Sequence, residues 1–333
     1  MKVYIKAIAY NLPENVLTNE MIAQEFPEWT VEKIDKKIGI KQRHVTKDGE
    51  TASDLAVGAA EKLFAEHNYD RSQIDYVIFV SQSPDYHLPT TACTIQTRLG
   101  LSQKITVIDV NLGCNGFVAG LSLAKAVIIA GQAKNVLLLT AETYSKYMHE
   151  RDKSNRTIFG DGSAATLVST EGMAEIGEFV IGTDGTGAEN LIVKTGGARH
   201  PQPANDLQFD DFGNPRSSDN LYMDGPAILN YSLDSIPQLV TDVLEKNNVT
   251  MDAIDLHVYH QANTFLANLE RRKLHIPEEK YYCNIENFGN TVSSTIPIAL
   301  CEAMKEGRIK DGTKVLSVAQ GLGYTWGGMV LFF

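Results

Sequence analysis

The chain has 333 residues, 43% of them hydrophobic and 21% charged, and carries a net charge of −11. This is globular composition with length for one large domain or two. The acidic balance argues against a nucleic-acid or anionic-membrane binder, which would need a basic face, and no run of about 18 apolar residues is present to span a membrane.

Residues 2–9 alternate as a first strand, too short and too regular for a signal peptide, so a cytoplasmic location is expected. Asn19 caps a short helix to about Glu25, and a second helical stretch runs from Trp29 to Ile40, broken at Gly39. Thr51 or Ser53 caps an amphipathic helix to about Glu66, with Leu55, Ala59, Leu63 and Phe64 at helical spacing. Residues 74–80 read as a strand buried on both faces, 90–99 as a helix and 105–110 as a strand. Residues 117–130 form a helix rich in Ala and Leu, followed by a strand over 136–140 and a polar loop over 145–155. Phe159-Gly160-Asp161-Gly162 turns into the apolar run 164–169. Strand–helix alternation with apolar strands predicts a largely parallel α/β sheet.

Beyond this the pattern shifts. Strands over 175–193 precede residues 195–219, rich in Gly, Pro, Asn and Asp, which read equally as a functional flap or a disordered insertion. A long amphipathic helix over 226–246 leads to a strand (254–259), a helix (264–274), a strand (281–285), a helix (292–306) and two strands, 314–318 and 325–333. Four cysteines (Cys93, Cys114, Cys283 and Cys301) stand far apart with no CxxC pair. Free thiols are expected, with Cys93, Cys283 and Cys301 in the core.

Within this order one turn is chemically distinctive. Gly113-Cys114-Asn115-Gly116 joins an apolar strand to a helix, and a helix N-terminus favours a thiolate over a thiol. A small apolar residue filling the joint explains the cysteine equally well on this window alone. The rest of the chain tips the balance through an internal repeat. Residues 72–80 resemble 251–259, and the helix, strand, turn and helix that follow recur at a period of roughly 175 residues, too long for a solenoid. The duplication predicts two halves, 1–172 and 173–333. Overlaying them sets Cys114 against the Gly289-Asn290 turn and puts His260 at a matching strand end. Ligands in such sheets bind along that edge. His257, an odd number of residues from His260, faces the other side of its strand, so no shared metal is expected.

With six motifs in order, the chain resembles the 3-oxoacyl-[acyl-carrier-protein] synthase III family of the thiolase superfamily. The motifs are Gly39-Ile40 with Arg43-His44, Cys114-Asn115-Gly116-Phe117, Phe159-Gly160-Asp161-Gly162, His260-Gln261-Ala262-Asn263, Phe288-Gly289-Asn290-Thr291, and Gly323-Tyr324-Thr325-Trp326-Gly327. The resemblance implies a five-layered αβαβα fold from two duplicated halves, a homodimer, and a decarboxylative condensation. Cys114 would take an acyl group from acyl-CoA, with the backbone N–H groups of Cys114 and Gly323 as the oxyanion hole. His260 and Asn290 would stabilise the enolate formed when malonyl-acyl-carrier-protein loses carbon dioxide. No metal or redox cofactor is implied; acyl-CoA is a substrate.

The resemblance also suggests Leu88, Lys153, Arg156, Asn263 and Phe265 as substrate-binding positions, Leu88 falling where the family often has a pocket-lining Phe that reaches across the dimer and leaving room for an acyl group beyond acetyl. Arg271, Arg272 and Lys273 are either a solvated helix face or a dock for the carrier protein. Lys153 and Phe265 depart from the family's usual basic residues. Gly321-Leu322-Gly323 lacks a thiolase's second cysteine, and Gln82 stands where a hydroxymethylglutaryl-CoA synthase needs a glutamate. Two alternatives stay open: an acyltransferase of the same fold that passes the acyl group to an alcohol or amine without decarboxylation, and a non-catalytic binding subunit.

Overall fold

The computed structural model describes residues 1–333. The ten strands of its main sheet are β1 (Tyr4–Asn11), β2 (Tyr76–Val80), β3 (Thr106–Val110), β4 (Asn135–Glu142), β5 (Gly162–Ser169), β6 (Ala174–Ile176), β7 (Val180–Thr183), β8 (Leu256–His257), β9 (Lys314–Gly321) and β10 (Thr325–Phe332). The longer helices are α1 (Ala52–Glu66), α2 (Thr91–Arg98), α3 (Gly116–Ile129), α4 (Gly225–Lys246), α5 (Thr264–Lys273) and α6 (Thr295–Lys305). The strands join in the order β8-β9-β10-β6-β1-β5-β4-β2-β3, with β7 also on β10. The short β6 is the seam, pairing β1 of the first half and β10 of the second.

The sheet is mixed, where the sequence pattern led us to expect a largely parallel one. Only β2–β3, β2–β4 and β8–β9 run parallel. The reason is local: β4 and β5 are joined by the loop around residues 145–155 without a full crossover helix, and β9 and β10 form a hairpin, so both pairs return antiparallel.

Three buried cores define the layers. In the first, Ala56, Leu63 and Ile95 of α1 and α2 cover Phe79 and Leu139. In the second, Phe117 and Leu121 of α3 and Ile296 and Leu300 of α6 lie between Val80 and Leu138 on one side and Val315 and Leu331 on the other. In the third, Ile236, Leu239 and Ala267 of α4 and α5 cover Leu316, Val318 and Val330. Val315 and Leu316 are neighbours on β9 yet belong to different cores, as the two-residue period of a strand requires. The result is helix, strand, helix, strand, helix, which is the expected five-layered thiolase-like architecture. Each fully buried Leu of the middle layer contributes about 1.5–3 kcal/mol.

Several local expectations changed. The segment after Tyr281 is not a strand. Tyr281 makes a single bridge to His257, and Asn284 N–H then turns to Gln261 Oε1 (3.1 Å), so a short 3-10 turn over Ile285–Asn287 replaces the ladder. Cys93 and Cys283 are exposed, and only Cys301 joins the core. Cys93 sits one residue off the inner Ala92–Ile95 face of α2. Residues 195–219 are structured by a two-residue hairpin, Gln208–Phe209 with Pro215–Arg216, and by turns on Asp206, Asp210 and Asp219. The first short helix is capped by Thr18 rather than Asn19.

Candidate active site

Cys114 lies between β3 and α3, two residues before the helix begins. This turn can approach the second half of the chain because Gly113 has no side chain. A Cβ there would fall 2.3 Å from Gln82 Oε1 and 3.1 Å from Val292 Cγ1. On one side Cys114 packs against Tyr144, Phe159, Leu191, Leu221 and Val292. On the other it opens onto a cavity of about 210 Å³ that is also lined by His260, Asn263, Phe265 and Asn290. The three polar residues singled out from the repeat therefore share one chamber at the strand ends.

Asn290 is 3% exposed and held on all sides. Its N–H donates to Ile158 O (2.9 Å), its carbonyl accepts from Gly160 N–H (3.1 Å), and its Oδ1 accepts from Val292 N–H (2.9 Å). That leaves Nδ2 as a donor with no acceptor inside the chain. Gly289 precedes it at φ +73°, and a Cβ there would meet Arg43 Cβ at 2.7 Å. Val292, a β-branched residue, is held at φ +55°. Such strain of about 1–3 kcal/mol persists where surrounding contacts over-determine the backbone, as they do here. Arg43 is fully buried beneath this turn and donates to the carbonyls of Leu17, Ile40 and Thr157 and to Asn19 Oδ1. The Arg43 and Gly-Asp-Gly motifs are thus the support of the Asn290 turn. Asp161 completes it by accepting from Thr46 and Ser145.

His260 has its backbone on Val318 O (2.8 Å) and its Nδ1 2.7 Å from Thr295 Oγ1. Burial pushes its pKa down to about 4, so the ring is neutral at physiological pH. The Thr295 hydroxyl has two orientations, toward Val292 O (3.3 Å) or toward Nδ1. Turning it selects whether Nε2, the nitrogen left for the cavity, is an acceptor or a donor.

The thiol differs from the sequence reading. Burial, with the neighbouring Glu142 second, pushes Cys114 up to about 12, while its own backbone N–H pulls the other way. Desolvation outweighs the helix terminus, and the resting group is a thiol. A thiol that attacks must lose its proton, and neutral His260 lines the same cavity as a group able to accept it.

Glu142, at the end of β4, is a site residue that sequence reasoning missed. It is fully buried and accepts from Ser83 Oγ (2.9 Å), Gln82 N–H (3.1 Å) and Ser293 Oγ (3.1 Å). It thereby ties the β2 end of the first half to the Asn290 loop of the second. Burial pushes it up to about 8, and where it ionises its charge adds to the rise of the Cys114 thiol.

The remaining predicted positions scatter. Asn263 caps α5 by accepting from Leu266 N–H (2.8 Å) and lines the cavity with the half-exposed Phe265. Lys153 does not reach the cavity; its Nζ is held by Glu28 (2.6 Å) and Phe212 O (2.8 Å). Arg156 is paired with Glu25 (2.6 Å). Both cations are spent within the chain. Leu88 is 85% exposed and outside the cavity. The N–H groups of Cys114 and Gly323 have no acceptor in the chain, yet Gly321, Leu322 and Tyr324, not Gly323, are the residues of that turn at the cavity wall. Arg271 folds back onto Ile276 O and Glu278, whereas Arg272 and Lys273 face solvent.

Comparison with known proteins bears on this arrangement. Residues 108–185 match the family model of 3-oxoacyl-[acyl-carrier-protein (ACP)] synthase III, and residues 244–333 match the model of its C-terminal part. The beta-ketoacyl-[acyl-carrier-protein] synthase III of Clostridium perfringens is 35% identical over 329 residues, 98% of each chain. The chain belongs to the 3-oxoacyl-[acyl-carrier-protein] synthase III family. A 2.1 Å crystal structure of a 3-oxoacyl-(acyl-carrier-protein) synthase III superposes with TM-score 0.97 at 46% identity over the whole of both chains. The Aquifex aeolicus 3-oxoacyl-[acyl-carrier-protein] synthase III follows at TM-score 0.85 and 32% identity, covering 99% of this chain and all of that one. The two matched segments of this synthase III family member carry Cys114 on one side and His260 and Asn290 on the other. No helix is long and apolar enough to cross a membrane.

Proposed function

We propose that the chain condenses an acyl group from acyl-CoA with malonyl-acyl-carrier-protein, losing carbon dioxide and giving a 3-oxoacyl-carrier-protein. The observation that carries this reading is one cavity lined by a thiol and by two neutral polar groups, His260 and the Nδ2 end of Asn290. Cys114 Sγ attacks the thioester carbonyl, the carbon–sulfur bond to CoA breaks, and CoA leaves as its thiol. In the second half-reaction the carbon–carboxylate bond of the malonyl group breaks and its electron pair passes to an enolate. The enolate carbon bonds to the acyl carbonyl carbon, the bond from that carbon to Sγ breaks, and the Cys114 thiolate takes up a proton to regain its thiol. No redox step or electron acceptor enters this balance.

The oxyanion of each tetrahedral intermediate is assigned to the free N–H groups of Cys114 and Gly323, and the enolate oxygen to His260 Nε2 and Asn290 Nδ2. Fixed donors aimed at developing charge in a dry site contribute about 2.7–4 kcal/mol each. The alternative transfer to an alcohol or amine has no need of two donors facing a second thioester. Incubation with acyl-CoA and malonyl-carrier protein tests the reading: a 3-oxoacyl-carrier product is expected, and an acylated small acceptor without carbon dioxide release would overturn it. Arg272 and Lys273 are the proposed carrier dock. Reversing both charges is expected to raise KM for the carrier substrate about tenfold while acylation from acyl-CoA is unchanged.

The duplicated halves, 1–172 and 173–333, each supply one part of the site. The open edge of the sheet supports a homodimer. β3 ends it with Val107, Ile108 and Val110 only partly covered. An unpaired apolar edge strand is a pairing surface. Light scattering should return twice the 36.6 kDa chain mass, and a monomer at micromolar concentration would refute the assignment.

A further inference from the structure

The cavity does not stop at the reacting groups. It continues between α4 and α5, where Ser232, Ile236, Tyr259 and Glu270 line it. Glu270 is 5% exposed, and the Tyr281 hydroxyl is the polar group beside its carboxyl. One phenol can serve only one of the two carboxyl oxygens, so the other is left to the cavity. Two lining groups are buried without a partner, Tyr231 OH and Gln320 Oε1. The other end of the Gln320 amide is fixed by donation to Ser235 Oγ (2.6 Å), so the oxygen is the free end.

Buried polar atoms are nearly always paired, and each one left unpaired costs about 1–3 kcal/mol. Glu270, Tyr231 and Gln320 on the wall of one cavity therefore describe a place built for a ligand. Gln320 Oε1 can only accept, a carboxyl accepts through at least one oxygen, and phenol oxygens accept as readily as they donate. What completes them is a donor. Helical rise puts Glu270 roughly 10 Å along α5 from Asn263.

Resting on the reading that Cys114 carries the acyl group, we propose that this arm is a subsite for a hydroxyl or amine at the far end of the acyl chain, with Glu270 as its anchor. Burial pushes the carboxyl up to about 8, so the empty subsite is mainly uncharged. An ammonium entering it would ionise Glu270 and pair with it. A hydroxyl would donate to it as it stands.

The test uses matched acyl-CoAs of about four to eight carbons, ending in methyl, hydroxyl or amine, on wild type and Glu270→Leu, with Cys114 acylation followed by intact mass. Wild type should favour a polar-ended chain by about tenfold or more, equivalent to about 1.4 kcal/mol. Glu270→Leu should reverse that order. Glu270→Gln keeps the volume and the hydrogen bonding, so it should retain the hydroxyl preference and lose the amine preference. It also keeps the test decisive if the leucine variant fails to fold. Equal rates for the three end groups in wild type would overturn the subsite and leave the cavity arm to ordered water only. Labelling by methyl-ended chains without a polar preference sinks the subsite alone; no labelling of Cys114 by any acyl-CoA sinks the subsite and the reading of the cysteine together.

Discussion

Cys114→Ala is expected to abolish the acyl adduct and to lower condensation by at least about 10⁴-fold, the scale on which covalent catalysis fails when its nucleophile is removed. The adduct must be located by peptide mapping, because Cys93 and Cys283 are exposed thiols and Cys114 is not. Burial holds Cys114 at about 12 and Cys283 at about 11, so simple alkylating agents at neutral pH should label the exposed Cys93 first. Acyl-CoA should reverse that order, since its thioester is delivered into the cavity where His260 can take the proton. The alanine variant should keep slow decarboxylation of the malonyl substrate, as His260 and Asn290 are untouched. Retention of a mapped adduct elsewhere with full condensation would remove Cys114 from the mechanism.

The positions that sequence exposed best are those fixed by backbone geometry. Gly113, Cys114 and Gly116 spell a tight strand–helix joint whatever surrounds it, and the duplication points to its counterpart at Asn290. Their close approach is visible in the structure, where a Cβ on Gly116 would lie 3.3 Å from Ser293 Cβ. Helices α1 and α3 were legible to within about two residues because their apolar periodicity is strong. What could not be read depends on packing between distant segments. Glu142 ends an apolar strand, and nothing local reveals that Ser81, Ser83 and Ser293 converge on it. Glu270 precedes Arg271-Arg272-Lys273 and reads as part of a solvated face; in the fold α5 packs on α4, and Tyr259 and Tyr281 lie beside Glu270, which is buried. The charges of Lys153 and Arg156 suggested ligand contacts, yet Glu28 and Glu25, more than a hundred residues away, neutralise them. The cysteine's titration was inferred with the wrong sign for the same reason. A helix terminus shows in sequence, whereas the desolvation that overrides it is a property of the assembled cavity.

His260→Ala and Asn290→Ala should separate the two half-reactions. In Asn290→Ala the acyl adduct on Cys114 should form at near wild-type rate, while release of carbon dioxide and product falls about 10²–10³-fold, the loss typical of one oxyanion donor. His260→Ala should show at least the same loss in condensation and an additional slowing of acylation, since the ring is also the base for the thiol. Because the two donors act on one enolate oxygen, the double variant should lose less than the product of the single effects. The pH dependence follows from the direction of the histidine shift. Burial lowers His260 to about 4, below its ordinary 6.5, so the neutral ring is present throughout pH 6–8 and no break near 6.5 is expected in the condensation step. The same shift stabilises the fold fully above pH 6.5, and that contribution is lost as pH falls toward 4. Thr295→Val would remove the hydroxyl that sets the tautomer, lowering condensation while leaving the histidine's neutrality intact. A condensation profile that rises with protonation near pH 6.5 would show that an imidazolium is the donor and would overturn this assignment.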